Sequence, residues 1–122
     1  MGNSKIFDCE ANLKKQAAAI RAAIVTLRSA VKVDKKGGAK DISVDQDIVK
    51  KAVEQYRAAC AAAGRDYELM RQWFEKGKNA AVNDIEKAGA EWAKAKSEVE
   101  SLDYLKNNPM LKLLKGAAPI GS

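Results

Sequence analysis

The chain has 122 residues, of which 31% are charged, and a net charge of +6, as expected of one basic domain of ordinary size. It contains no histidine and so lacks the commonest general acid-base group and metal ligand. No run of about 18 apolar residues is present to cross a bilayer as a helix, and Cys9 and Cys60 are too few and too far apart for a disulfide framework or a zinc site.

The start, Met1 to Asp8, has no apolar stretch ahead of the acidic pair Asp8 and Glu10, so it does not read as a signal peptide. Ile6 stands where a myristoylation start wants serine or threonine. Ser4 or Asp8 can cap a first helix, and Leu13, Ala17, Ile20, Ile24, Leu27 and Val31 then recur in a four-three alternation. That spacing keeps one apolar seam on one side of a helix, which predicts a helix over about residues 5–33. The polar stretch from Asp34 to Asp41, with Gly37-Gly38 at its centre, has nothing to bury and reads as the main loop.

Ser43 begins a capping box with Gln46, and Asp45 and Asp47 lie where the positive end of a helix dipole favours carboxylates. The second seam, Val49, Val53, Tyr56, Cys60, Ala63, Tyr67, Met70 and Phe74, predicts a helix over about 44–76. The heptad phase then shifts by four, either as a stutter in one long helix or as a break between two. Gly77 suits a helix end and Asn79 or Asn83 a new start, so the reading adopted is a turn near 77–80 followed by a third helix over about 80–107. Its seam is Ile85, Ala88, Trp92, Ala95, Val99 and Leu102. Past Asn108, Pro109 and Gly116 bracket a short helix carrying Met110, Leu111, Leu113 and Leu114, and a loose tail follows.

These elements predict an all-α fold: an antiparallel up-down-up three-helix bundle with coiled-coil-like heptad packing over 1–108, and a short amphipathic helix with a flexible tail over 109–122. Lys14, Arg21 and Arg28 form a basic stripe along the first seam, and Asp84, Glu91 and Glu98 an acidic stripe along the third, at a constant offset of about seventy residues. In parallel neighbours such stripes pair and set orientation. Between two chains the same stripes would make a homodimer.

No phosphate-binding loop or nucleophile elbow is present, and a cysteine nucleophile would lack its histidine. Glu98, Glu100 and Asp103 fall on a polar helix face. The expectation is therefore a protein that is not an enzyme and that uses no cofactor or metal. Lys32, Lys35, Lys36 and Lys40 make a modest basic patch around the main loop, suited to weak, nonspecific nucleic-acid binding. Trp73, with Leu69 one turn before it, stands beside the second seam; packed on the third helix it is core, and exposed it is an interaction anchor. The face of Met110, Leu111, Leu113 and Leu114 can fold back on the bundle, dock in a partner's groove, or lie on a membrane surface. Together these features predict a cytoplasmic protein-protein interaction module (adaptor, chaperone, inhibitor or small assembly subunit), of a kind frequent in bacterial secretion systems and phages, by fold-level analogy. The alternative is a basic nucleic-acid-associated helical protein; export by a route that needs no signal peptide is also left open.

Overall fold

Valine and isoleucine on alternate positions either side of a double glycine decide the first departure from that expectation. Val31–Asp34 (β1) pairs antiparallel with Asp41–Val44 (β2), Val31 facing Val44 and Val33 facing Ile42. The computed structural model describes residues 2–34, 41–75, 77–102 and 109–117, without the side chains of residues 2–6, 33, 34, 41 and 110. Within these stretches the chain forms α1 (Gly2–Ser29), β1, β2, α2 (Gln46–Trp73), α3 (Ala80–Glu100) and α4 (Met110–Lys115). The all-α three-helix expectation is thus corrected to four helices and a two-stranded antiparallel ribbon. β-Branched side chains lose rotamer freedom in a helix and pack well on a pleated ribbon, so α1 stops at Ser29 rather than near residue 33.

The ribbon also changes how α2 begins. Ser43 pairs with Lys32 in the ribbon, and Asp45 is the cap, its carboxylate accepting from the backbone N–H of Asp47 and Ile48. The Asp45 N–H donates to the carbonyl of Ala30 at 2.9 Å, which ties the ribbon's base to the buried residue that follows α1. After Trp73 the chain turns through Gly77, whose φ of 90° suits a residue without a Cβ. Asn79 then caps α3 through Ala81 and Val82, so α2 and α3 are separate helices. The expected stretch to residue 107 runs into residues 103–108, and the expected tail into 118–122; both lie outside the described residues, as does most of the main loop at 35–40.

The seam residues make the core. Leu13, Ala17, Ile20, Leu27, Val49, Val53, Ile85, Ala88, Trp92 and Ala95 are fully enclosed, and Cys60, Phe74 and Leu102 are half-buried at its margin. α1 lies between its two long neighbours. Its backbone approaches both α2 and α3 closely along their length, whereas the α2 and α3 backbones scarcely meet. Alanine explains the close approaches, since Ala17 and Ala23 on α1, Ala30 just past its end, Ala52, Ala59 and Ala63 on α2, and Ala81, Ala88 and Ala95 on α3 are all buried. Large side chains bridge the wider α2–α3 gap: Tyr56 and Trp92 stack with ring centroids 4.3 Å apart and planes within 5°.

Candidate functional site

Three places on this frame gather the residues singled out in the sequence. The first is an open groove between the N-terminal part of α1 and the C-terminal part of α2, lined by Asp8, Cys9, Arg65, Asp66, Leu69 and Trp73 and about 390 Å³ in volume. Antiparallel packing brings its polar members together across more than fifty residues of sequence. Asn12 donates to Asp66 and, at 3.0 Å, to the carbonyl of Ala62; Gln16 donates to Asn12; the Cys9 thiol donates to the other Asp66 oxygen at 3.4 Å. Nothing in the local pattern announces this network, because each partner is an ordinary polar residue on its own helix. Burial, and then the Asp66 carboxylate, push the Cys9 thiol above its ordinary range, which holds it as the poorly nucleophilic thiol. Both cysteines are free, and Cys60 is likewise raised by burial.

Trp73 decides the character of this groove. It lies in the last turn of α2, on the side turned away from the core that Met70 and Phe74 pack against, and it stays 43% exposed with Leu69 half-buried beside it. Tyr67, two residues before Leu69, is buried; its hydroxyl donates to Glu86 of α3 at 2.7 Å, and the Arg71 guanidinium sits 5.6 Å from its ring centre. Burial first, and then Glu86, push the Tyr67 phenol up to about 12.

The second place is the rim between α1 and α3. Arg21 bonds Asp84 at 2.9 Å and Glu91 at 3.1 Å, and Arg28 reaches Glu98 at 4.0 Å. Hydrogen bonding to Asp84 raises Arg21 above its ordinary value. Lys14 is exposed; Asp84 is taken by Arg21 instead. Beside this rim an open groove of about 350 Å³ is lined by Arg21, Ile24, Val25, Arg28, Glu91 and Lys94.

The third is the slot between α2 and α3, and α4 lies in it. Leu114 is fully enclosed, Ala117 is buried, Leu113 packs on the core and Leu111 is half-buried. The side chain of Met110 lies outside the described residues. The Trp92 indole N–H and the Lys96 ammonium both donate to the carbonyl of Ala117, each at 3.3 Å. Of the basic patch, Lys32 is exposed on β1, while Lys35, Lys36 and Lys40 lie outside the described residues.

Among the described residues there is no group of three or more histidines, cysteines or carboxylates placed to hold a metal ion, and no helix is long and apolar enough to cross a membrane. The chain is a small, mostly helical domain whose distinctive surfaces are a tryptophan groove, a charged rim and a slot occupied by its own last described helix. No protein-family model, curated protein or solved structure matches it.

Proposed function

We propose that the protein is a non-enzymatic interaction module that binds another protein through its helical surfaces, with the Trp73 groove as the principal contact. The observation that carries this reading is the 43% exposure of Trp73 above Leu69 in an open groove. Tryptophan is the side chain most enriched at energetically dominant contacts, and Asp8, Arg65 and Asp66 supply the polar margin that orients a partner. The half-buried Leu111 and Leu113 of α4 add apolar contact area on a second surface. Adaptor, chaperone, inhibitor and small assembly subunit all use such surfaces, as would a second copy of the chain.

The test is cross-linking capture by the full-length chain, comparing wild type with Trp73→Glu and with Ile42→Glu, which changes an exposed residue on the ribbon instead. A partner retained by wild type and Ile42→Glu but lost by Trp73→Glu supports the reading. Retention indifferent to Trp73 overturns the groove as the contact.

A second reading, weak nucleic-acid binding, draws support from Lys32 standing exposed on a two-stranded ribbon, a shape that a DNA major groove admits. Retention on DNA that falls steeply with salt and is lost on replacing Lys32, Lys35, Lys36 and Lys40 would favour it.

A further inference from the structure

We infer that the slot between α2 and α3 is a receptor for a short amphipathic helix of a partner protein, and that α4 is its resident occupant, displaced when that partner binds. The inference rests on the protein-binding reading but concerns a surface separate from the Trp73 groove.

The slot is a consequence of the packing. α1 holds α2 and α3 against its own alanines and keeps their backbones apart, so the Tyr56–Trp92 stack would otherwise be open on the side away from α1. α4 closes it with few attachments. It is six residues long, and Pro109 at its start makes no side-chain cap. Helices this short do not persist in water on their own account, so the slot imposes the helical form. Pressed into it are one fully enclosed leucine, Leu114, and the buried Ala117 three positions on.

What the slot recognises is general enough to be met by another chain. Trp92 and Lys96 converge on a main-chain carbonyl, an atom that any peptide presents. The enclosed position takes leucine, and the position three residues later takes a small side chain. At Gly116 an added Cβ would meet only the end of the exposed Arg57 side chain, at 2.9 Å, which can swing aside, so the intervening position is not restricted. Lys112 and Lys115 are exposed and leave the outer positions unconstrained. A partner helix therefore needs a leucine, a small residue three positions after it, and a free carbonyl there; α4 is the template. Displacement would release Leu111, Leu113 and Leu114 as a second apolar face at the same moment.

A tethered occupant competes at an effective concentration on the order of 1 mM, and an added helix binds only in proportion to the fraction of open slots. The probe is a fluorescein-labelled synthetic peptide of residues 109–122, titrated by polarisation into full-length wild type and full-length Leu114→Asp, whose own α4 cannot seat. The expected result is binding at least tenfold tighter to Leu114→Asp than to wild type, lost when the peptide itself carries Leu114→Asp and weakened by Lys96→Met in the chain. Absence of binding to a folded Leu114→Asp chain overturns the inference. Should that variant fail to fold, hydrogen exchange on wild type decides: amides of 111–117 exchanging at least tenfold faster than those of 13–27 show a slot that opens alone, whereas exchange in step with α1 makes α4 a permanent part of the core and overturns the inference. Peptide failure with Trp73-dependent capture intact removes only this inference; loss of Trp73-dependent capture with peptide binding intact removes only the groove.

Discussion

The seams on either side of α1 and the seam between α2 and α3 solve the same burial problem in opposite ways. Along α1, alanines let backbones approach, and stabilisation comes from many small contacts at short range. Between α2 and α3 the backbones stand apart, and a few large side chains, Tyr56, Tyr67 and Trp92, span the gap. The first arrangement is complete once the helices meet. The second leaves a slot that needs another piece of chain, and α4 supplies it. Stability is therefore spread evenly on one side of the molecule and concentrated in single residues on the other.

Trp92→Ala should break that contrast most severely. Trp92 is fully enclosed, stacks on Tyr56 and donates to the Ala117 carbonyl, so removing it opens a cavity and unseats α4 together. A loss of about 3–5 kcal/mol is expected, measured by urea denaturation. A loss below about 1 kcal/mol would mean that the wide seam collapses readily and is not where stability concentrates.

The close seam is sharpened by the reverse change. Ala17→Leu adds volume where α1 has no room, since Ala17 is fully enclosed, and overpacking there should cost about 1–3 kcal/mol. Ala18→Leu, one position round the helix on the exposed face, should stay within about 0.5 kcal/mol of wild type. Equal effects from the two would show that the alanines do not set the spacing.

Legibility in the sequence follows the same division. A four-three seam states which side of a helix is buried, so Leu13, Ile20, Val53 and Ile85 could be placed in the core from spacing alone. Val31 satisfies both the heptad and the two-residue period of Val31, Val33, Ile42 and Val44. The choice was made by the pairing of Val31–Asp34 with Asp41–Val44, which a repeat within one helix does not contain. Asp45 rather than Ser43 caps α2 for the same reason, because Ser43 was already committed to the ribbon. The Cys9–Asp66–Asn12 cluster depends on the register of α1 on α2. Leu114's enclosure depends on the width of a slot made by other helices. Both are tertiary quantities. The exposure of Trp73 depends on which flank of α2 its neighbours cover, and its place in the sequence, beside Met70 and Phe74, points to core.

At the edge of the wide seam, Tyr67 gives a pH test. Its phenol is held up to about 12, against about 10 in an unfolded chain. The fold thus retains a proton that the unfolded chain gives up, and stability falls as pH rises wherever the unfolded state binds fewer protons. The Tyr67 contribution is whole below pH 10 and is lost progressively as pH rises through 12. Thermal melts of wild type and Tyr67→Phe across pH 9–12 isolate it: wild type should lose more than the variant over that window. Parallel curves would place the Tyr67 hydroxyl in water rather than against Glu86.

The smallest effect should come from the rim of the α1–α3 seam, where the ion pairs lie at the surface. Arg21 stands between Asp84 and Glu91 at close range, whereas Arg28 meets Glu98 only at 4.0 Å, with both of those side chains more than half exposed. Exposed pairs contribute about 0.2–1 kcal/mol and less as salt rises. Arg21→Glu sets a carboxylate against two others and should lower the melting temperature at low salt more than Arg28→Glu does, with the gap between the variants narrowing in about 0.5 M salt as charges more than a Debye length apart are screened. If the two variants melt alike and salt leaves both unmoved, the rim contributes through the apolar stems of its arginines rather than through their charges. In that case the close seam owes its strength to packing alone, out to its edge.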